Sequence, residues 1–125
     1  EAVSEVVDCI DVHMTEGGCG WLAAVVKIRK TSEDDGRKAI EAALAGHRSM
    51  KMVTIVDEDV DITNPVRVEW AMVTRWQPDR DTHVFSNQKG SSLDPLRYQD
   101  GLTSKVGFDA TIHHSDNPEG YMSVQ

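Results

Sequence analysis

A short apolar run, Met52 to Val56, constrains the fold of this chain most, because it is rich in β-branched residues and bounded by charged ones. Such a run is typical of a strand that is covered on both faces of a sheet. A helix is predicted to follow, since Asn64 can accept a backbone N–H as the capping residue and Pro65 fits the first helical position. The helix is expected to run to about Trp76, because Pro78 prevents its continuation.

The residues before this run predict an antiparallel hairpin and a first helix. Ala2 to His13 and Trp21 to Arg29 are the predicted strands, and the glycine-rich segment 17–20 is the turn between them. The helix is predicted from Ser32 to Gly46, with a buried apolar stripe made of Ala39, Ile40, Ala43 and Leu44.

The C-terminal part predicts two further strands separated by a long polar segment. The strands are Thr82 to Phe85 and Lys105 to Thr111, the segment between them (Asn87 to Ser104) is rich in turn residues, and residues 113–125 are expected to be loosely ordered. The whole chain, residues 1–125, is predicted to be one domain of the α/β class, α+β type. We expect a mixed β-sheet of about five strands with two main helices packed on it.

The charge of the chain disfavours two classes of partner. Its 125 residues carry a formal net charge of −8. A surface this acidic repels phosphodiester backbones and anionic lipid. Neither nucleic acid nor membrane is therefore an expected partner. No apolar run approaches the ~20 residues needed to cross a bilayer, and there is no signal-peptide pattern. Because the chain begins at Glu1, we expect a piece of a longer, cytoplasmic protein.

Several ordered segments resemble the carboxy-terminal region of the UbiD family, decarboxylases that use prenylated flavin mononucleotide (FMN). They are VDEDVDI, VEWAMVTRWQPDRD, GSSLDP and SKVGFDAT, preceded by DVHMTEGGCGWLAAVVKIRK and DGRKAIEAALAGHRSMK. The resemblance covers roughly Val7 to Thr111. It implies a carboxy-lyase that acts on an aromatic or α,β-unsaturated carboxylic acid.

The same resemblance implies that this chain is non-catalytic in isolation. The family's catalytic arginine and glutamates, and its binding site for prenylated FMN with a divalent metal and potassium, belong to earlier domains, so no catalytic, cofactor-binding or metal residue is assigned here. A C-terminal domain of this kind is expected to support oligomerisation and to close the active site. Its expected partners are the upstream domains and further copies of the same enzyme.

One loop is a candidate contributor to the active site. In the family a leucine matching Leu93 lines the substrate, so the resemblance implies a substrate-lining role for Leu93 and its neighbours Ser92 and Asp94. The alternative is a solvent-exposed loop in which Asp94 and Pro95 form a turn.

Glu69 is a candidate for a buried ion pair. On a helical wheel it falls inside the apolar arc of the second predicted helix, and a buried carboxylate needs a cation or several hydrogen-bond donors. An arginine such as Arg75 or Arg80 is its expected partner, and a role as an acid–base group is the alternative.

Two acidic or histidine-rich patterns do not predict a metal site. Asp57, Asp59 and Asp61 alternate as in an EF-hand, but the loop lacks the glycine and glutamate that such a site requires. His113 and His114 are adjacent, with Asp116 nearby, and adjacent strand residues point to opposite faces. Two alternatives to the decarboxylase domain stay open: a free-standing acidic α/β ligand-binding or regulatory module, and a metal-dependent hydrolase that uses the acidic patch.

Overall fold

The computed structural model describes residues 3–15, 22–46 and 49–113, and in them the chain forms one five-stranded mixed sheet. The strand order across the sheet is β1-β2-β3-β5-β4. In chain order, after a short 3-10 turn at Val3–Glu5, the elements are β1 (Asp8–Met14), β2 (Ala23–Arg29), α1 (Asp35–Gly46), β3 (Met52–Asp57), α2 (Pro65–Arg75), α3 (Pro78–Asp81), β4 (Thr82–Lys89) and β5 (Leu102–Ala110).

The predicted class is confirmed, and so is the central position of the apolar run. β3 is parallel to both β2 and β5, and β1 pairs with β2 as an antiparallel hairpin. Val53 and Ile55 of β3 pack on one face of the sheet, and Val56 packs on the other. This two-sided burial is what a continuous apolar strand sequence predicts.

The helix on one face, α1, covers the larger core and ends at Gly46 as predicted, but it begins at Asp35 and not at Ser32. The Asp35 carboxylate accepts hydrogen bonds from the backbone N–H of Thr31 (2.9 Å) and Ser32 (3.2 Å), which fixes the start of the helix. The predicted stripe is buried, and Ile40 meets the sheet at Gly107, where an added Cβ would lie 2.2 Å from the Ile40 side chain. A residue larger than glycine at position 107 would therefore push α1 off the sheet.

The helix on the opposite face, α2, starts as predicted but buries less. The Asn64 side chain accepts a hydrogen bond from the Val66 N–H at 3.0 Å, and Pro65 follows it as the first helical residue. Only Ala71 and Arg75 of α2 are buried, so a smaller apolar cluster lies beneath this helix.

Several other boundaries differ from the predictions. The first strand begins at Asp8, because a 3-10 turn precedes it. β4 extends to Lys89, and β5 begins at Leu102, so antiparallel pairing takes up both ends of the segment predicted as a long loop. Pro78 starts the short helix α3 as well as preventing the continuation of α2. The predicted glycine turn and the tail beyond His113 lie outside the described residues.

Across residues 3–15, 22–46 and 49–113, no helix has the length and apolar character that crossing a bilayer requires.

Candidate functional site

The loop between β4 and β5 is held in place by one buried carboxylate, that of Asp94. Its two oxygens accept hydrogen bonds from Lys51 Nζ (2.9 and 3.1 Å), from the Leu96 N–H (2.9 Å) and from Thr103 Oγ1 (2.8 Å). Asp94 is only 6% exposed. Because Lys51 precedes the central strand and Thr103 lies on β5, Asp94 fixes the loop directly to the sheet.

Burial and hydrogen bonding act in opposite directions on this carboxyl. Burial disfavours the charged form, but the hydrogen bonds from Lys51, the Leu96 N–H and Thr103 outweigh it and hold the pKa of Asp94 below its ordinary value. Asp94 therefore stays ionised at neutral pH and remains paired with Lys51.

The three residues predicted to line the substrate do not share one environment. Leu93 is 51% exposed and Ser92 is exposed, so both are displayed at the surface of the domain. The Asp94 side chain points inwards to Lys51 and Thr103. The structure thus makes Asp94 the support of the loop, and leaves Leu93 and Ser92 as the residues that can face another molecule.

A polar pocket of about 290 Å³ lies beside this loop. Ser49, Gly90, Ser91, Ser92 and Arg97 line it. Ser91 is buried, and its hydroxyl oxygen accepts the Leu93 N–H at 3.1 Å. This pocket was not predicted, because only the fold brings Ser49 to the loop that carries Ser91, Ser92 and Arg97.

Arg75 forms the second buried charge network, at the other end of the central strand. Its guanidinium donates to Asp57 (3.0 Å) and, through two nitrogens, to Asp59 (2.9 and 2.8 Å), and it lies 4.9 Å from the ring centroid of Trp70. The Asp57 carboxylate also accepts the Ile112 N–H at 2.9 Å. Arg75 therefore ties α2 to the carboxyl end of β3.

These contacts correct the predicted pairing of Glu69. Glu69 is exposed, because it lies towards the open side of α2 and away from the sheet. Arg75 pairs with Asp57 and Asp59, and Arg80 pairs with Asp81 at 2.8 Å. The helical wheel placed Glu69 correctly among apolar residues, but much of that arc is not covered by the domain.

The pKa values of the two carboxyls at Arg75 move in opposite directions. Burial raises the pKa of Asp57, and the Ile112 N–H and Arg75 only partly offset this. The hydrogen bonds from Arg75 lower the pKa of Asp59, which is the more exposed of the two. Two carboxylates of the acidic patch therefore pair with a cation of the protein itself, the Arg75 guanidinium.

This arrangement leaves the acidic patch unsuited to calcium. Two of its carboxylates are committed to Arg75, and the third, Asp61, accepts hydrogen bonds from the hydroxyl (2.7 Å) and the N–H (3.1 Å) of Thr63. The geometry gives no support to a hydrolase that would use Asp57, Asp59 and Asp61 as metal ligands.

A further cluster joins Asp81, Asp109 and His113, whose possible metal-ligand atoms all lie within 4.8 Å of one another. His113 Nε2 is 3.0 Å from Asp81 and 3.7 Å from Asp109. Both oxygens of Asp81 already accept hydrogen bonds from Arg80, at 2.8 and 2.9 Å. A metal ion would have to compete with Arg80, so the cluster fits an internal charge network better. Asp81 is distant in sequence from Asp109 and His113, which lie four residues apart. His114 and Asp116 lie outside the described residues.

An apolar groove of about 810 Å³ runs along the open side of α2. Its lining includes Val68 and Met72 of α2 and Val25 of β2. Trp76, the residue that follows α2, also lines it. Val66 and Val73, one above the other on the same helix, are 73% and 72% exposed. A groove flanked by two such side chains is typical of a surface that contacts another protein or domain.

The comparisons with known proteins assign this domain. The sequence profile of the 3-octaprenyl-4-hydroxybenzoate carboxy-lyase C-terminal domain, UbiD_C, matches residues 1–110. The chain belongs to the UbiD family. This UbiD domain is 50% identical over 101 residues to an anhydromevalonate phosphate decarboxylase of Methanothermobacter thermautotrophicus, and 51% identical over 110 residues to one of Methanosarcina mazei. These matches cover 81% and 88% of the chain. A gallate decarboxylase of Lactiplantibacillus plantarum is 35% identical, with 82% of the chain covered.

The same fold occurs in solved UbiD-class structures. The enzyme HmfF from Pelotomaculum thermopropionicum, in complex with FMN, has a TM-score of 0.92 and 35% identity, with 99% of this chain and 28% of that one covered. The chain spans about a quarter of the length of the relatives named above: 24%, 26% and 23% in the same order. Most of each relative therefore has no counterpart in this UbiD domain.

The N-terminus of α2 does not fit a flavin phosphate, although helix N-termini commonly bind phosphate groups. Asp57, Glu58, Asp59 and Asp61 precede it, and their charge opposes a phosphate.

Proposed function

We propose that this UbiD domain closes one wall of the active site of a larger decarboxylase, and that the polypeptide upstream of it carries the catalytic residues. The observation that carries the proposal is the family match along residues 1–110 of a chain that spans only a quarter of its relatives. In this proposal prenylated FMN, a divalent metal and potassium are bound by the upstream domains. An HmfF structure with prenylated FMN, 33% identical to this chain, supports the choice of cofactor.

The wall of the active site is formed by the loop that Asp94 anchors. Leu93 and Ser92 are displayed beside a fixed backbone, so they can face a substrate without being part of the reaction. An apolar side chain in that position would shape the cavity and exclude water, while proton transfer is left to other groups.

We propose anhydromevalonate phosphate as the substrate. The anhydromevalonate phosphate decarboxylases are about 50% identical to this domain, whereas the gallate decarboxylase is 35% identical. An aromatic acid such as gallate is the alternative.

The groove along α2 is proposed to receive the upstream domains of the same enzyme. Its apolar lining and the exposed Val66 and Val73 would be buried in that contact. Association into homo-oligomers is a further prediction, and sedimentation analysis of the full-length enzyme would test it. The cytoplasmic location also stays a prediction, for cell fractionation to test.

A decarboxylation assay tests the proposal directly. The isolated chain, supplied with prenylated FMN, is expected to give no turnover, while the full-length enzyme releases carbon dioxide from the acid. Turnover by the chain alone would contradict the proposal.

The groove also suits a second candidate function, a free-standing ligand-binding module, because its volume of about 810 Å³ is in the range of small-molecule sites. The module would sediment as a monodisperse monomer and bind its ligand without the upstream domains. The proposed domain would instead bind those domains through Val66 and Val73, and a Val73→Asp variant should abolish that binding. Unimpaired binding by Val73→Asp would favour the module.

A further inference from the structure

We propose that the polar pocket formed by Ser49, Ser91, Ser92 and Arg97 binds the phosphate group of the substrate. This inference rests on the proposed function, in which the neighbouring Leu93 faces the substrate. It adds an anion-binding site to that wall of the cavity, and it names a phosphomonoester as the group that the site recognises.

The chemistry of the lining supports an anion. Serine hydroxyls can donate hydrogen bonds, and a guanidinium can donate two parallel ones to the oxygens of a phosphate. The five residues that line the pocket include no carboxylate, although the chain as a whole carries a net charge of −8. Its volume of about 290 Å³ exceeds that of a phosphate group and leaves room for the adjoining part of a ligand.

Arg97 is available for a ligand. The ion pairs within residues 3–15, 22–46 and 49–113 involve other cations. Among them, Lys51 is held by Asp94, Arg75 by Asp57 and Asp59, and Arg80 by Asp81. Arg97 is absent from these pairs and from the hydrogen-bonded side chains of the same ranges. An arginine in an acidic domain that does not pair with a nearby carboxylate can offer its charge to a bound anion.

The backbone of the pocket is fixed before a ligand arrives. The Arg97 N–H donates to the Asp94 carbonyl at 3.3 Å, and Asp94 itself is tied to the sheet through Lys51 and Thr103. An added Cβ at Gly90 would lie 3.1 Å from two carbons of the Arg97 side chain, so glycine at this position lets the arginine lie across the loop. A preformed site loses less entropy when the phosphate binds.

The position of the pocket matches a substrate with an anion at one end. Ser92 adjoins Leu93 in sequence, so the two side chains are carried by consecutive residues about 3.8 Å apart along the chain. With Leu93 against the carbon skeleton, Ser92 and Arg97 reach a group a few bonds away. A substrate phosphate would thereby hold the acid in one orientation.

The experiment compares Arg97→Gln with Arg37→Gln in the full-length enzyme. Arg37 lies on α1 and pairs with Glu41, so its substitution controls for the loss of a surface arginine. Arg97→Gln is expected to raise the KM for anhydromevalonate phosphate about 10- to 100-fold, the loss typical of one charge-assisted contact. kcat should change less, and Arg37→Gln should leave both constants unchanged. An unchanged KM in Arg97→Gln would overturn the inference while the proposed function stands.

Two further measurements separate the other outcomes. The flavin content of Arg97→Gln should equal that of the wild type, and loss of flavin would mean that the pocket holds the cofactor's phosphate instead of the substrate's. Inorganic phosphate titrated into the 125-residue chain should shift the backbone amide resonances of Ser91 and Ser92, and Arg97→Gln should abolish the shift. This titration tests the pocket even if the full-length enzyme turns over a different acid, and the absence of any shift in the wild type would refute the site.

Discussion

A buried charge network lies at each end of the central strand β3, and the two networks fix different elements. At the carboxyl end, buried Arg75 joins Asp57 and Asp59 and fixes the helix α2. At the amino end, buried Asp94 joins Lys51 and Thr103 and fixes a loop. In each case one buried charged group is satisfied by neighbours from separate elements, which is the condition for burying a charge at tolerable cost.

The difference lies in what else holds each region. The helix α2 also packs on the sheet through Ala71 and the apolar cluster around it, so Arg75 adds to an existing contact. The loop exposes Leu93, Leu96 and Tyr98 and has little apolar packing of its own. We infer that the carboxyl end of β3 is built for stability and that the amino end is built to display side chains.

Removal of Arg75 should have the largest effect on stability. Arg75→Ala removes the cation that pairs with Asp57, whose side chain is largely buried. Breaking a buried pair from one side costs about 3–5 kcal/mol. Chemical denaturation of the isolated domain would measure the loss, with Arg37→Ala as the control. Arg37 forms an exposed pair on α1, so its loss should cost at most about 1 kcal/mol. Similar costs for the two variants would contradict the assignment of a stabilising role to Arg75.

Removal of Asp94 should have a smaller and more local effect. Asp94→Ala leaves the Leu96 N–H and Thr103 without their acceptor, a loss of about 1–3 kcal/mol, while Lys51 is partly exposed and can be hydrated. Hydrogen exchange should report opening of the loop, at Tyr98 N–H for example, with little change in α2. Asp100→Ala is the matched control, because Asp100 is an exposed aspartate of the same loop whose carboxylate accepts only a local hydrogen bond among those of the described residues, from the Leu102 N–H at 3.0 Å. Equal loss of protection in the two variants would show that Asp94 is not the anchor.

As the pH falls, the loop held by Asp94 should open before the helix α2 does. The pKa of Asp94 is lowered in the folded protein, so its contribution is present above the ordinary value of 3.8 and is lost as the pH falls through the folded value. The pKa of Asp57 is raised, so protonation of Asp57 relieves a cost of folding and partly compensates for Asp59, whose pKa is lowered. The loop should therefore lose exchange protection at a higher pH than α2 does. Loss of exchange protection in the loop and in α2 at the same pH would contradict this order.

The architecture could be predicted from the sequence because its decisive features are local. The β-branched run Met52–Val56, the Asn64-Pro65 helix start and the apolar stripe of α1 all depend on neighbouring residues, and each is confirmed. The strand ends were less predictable, since pairing between β4 and β5 extends both strands into polar sequence that has no strong strand preference.

The charge networks could not be predicted in the same way. Asp94 pairs with Lys51, and Arg75 pairs with Asp57. The members of each pair are far apart in the sequence, and only the tertiary fold brings them into contact. The helical wheel for Glu69 assumed that every apolar arc is covered, whereas the groove beside α2 leaves that part of the helix open. Sequence pattern reports which residues prefer burial, but not whether the domain itself covers them.

The smallest predicted effect concerns Asp59, the outer partner of Arg75. Its side chain is 60% exposed, so solvent screens the pair even though two hydrogen bonds join it to the guanidinium. Asp59→Asn keeps one of the two acceptor oxygens and removes the charge, and it should cost no more than about 1 kcal/mol at neutral pH. Because the carboxyl pKa of Asp59 is lowered in the folded state, the cost should vanish below that pKa, where the wild type has also lost the charge. Denaturation curves of the two proteins at neutral pH and under strongly acidic conditions would measure this convergence. A pH-independent difference would mean that Asp59 acts through its shape alone, and that Asp57 by itself satisfies the charge of Arg75.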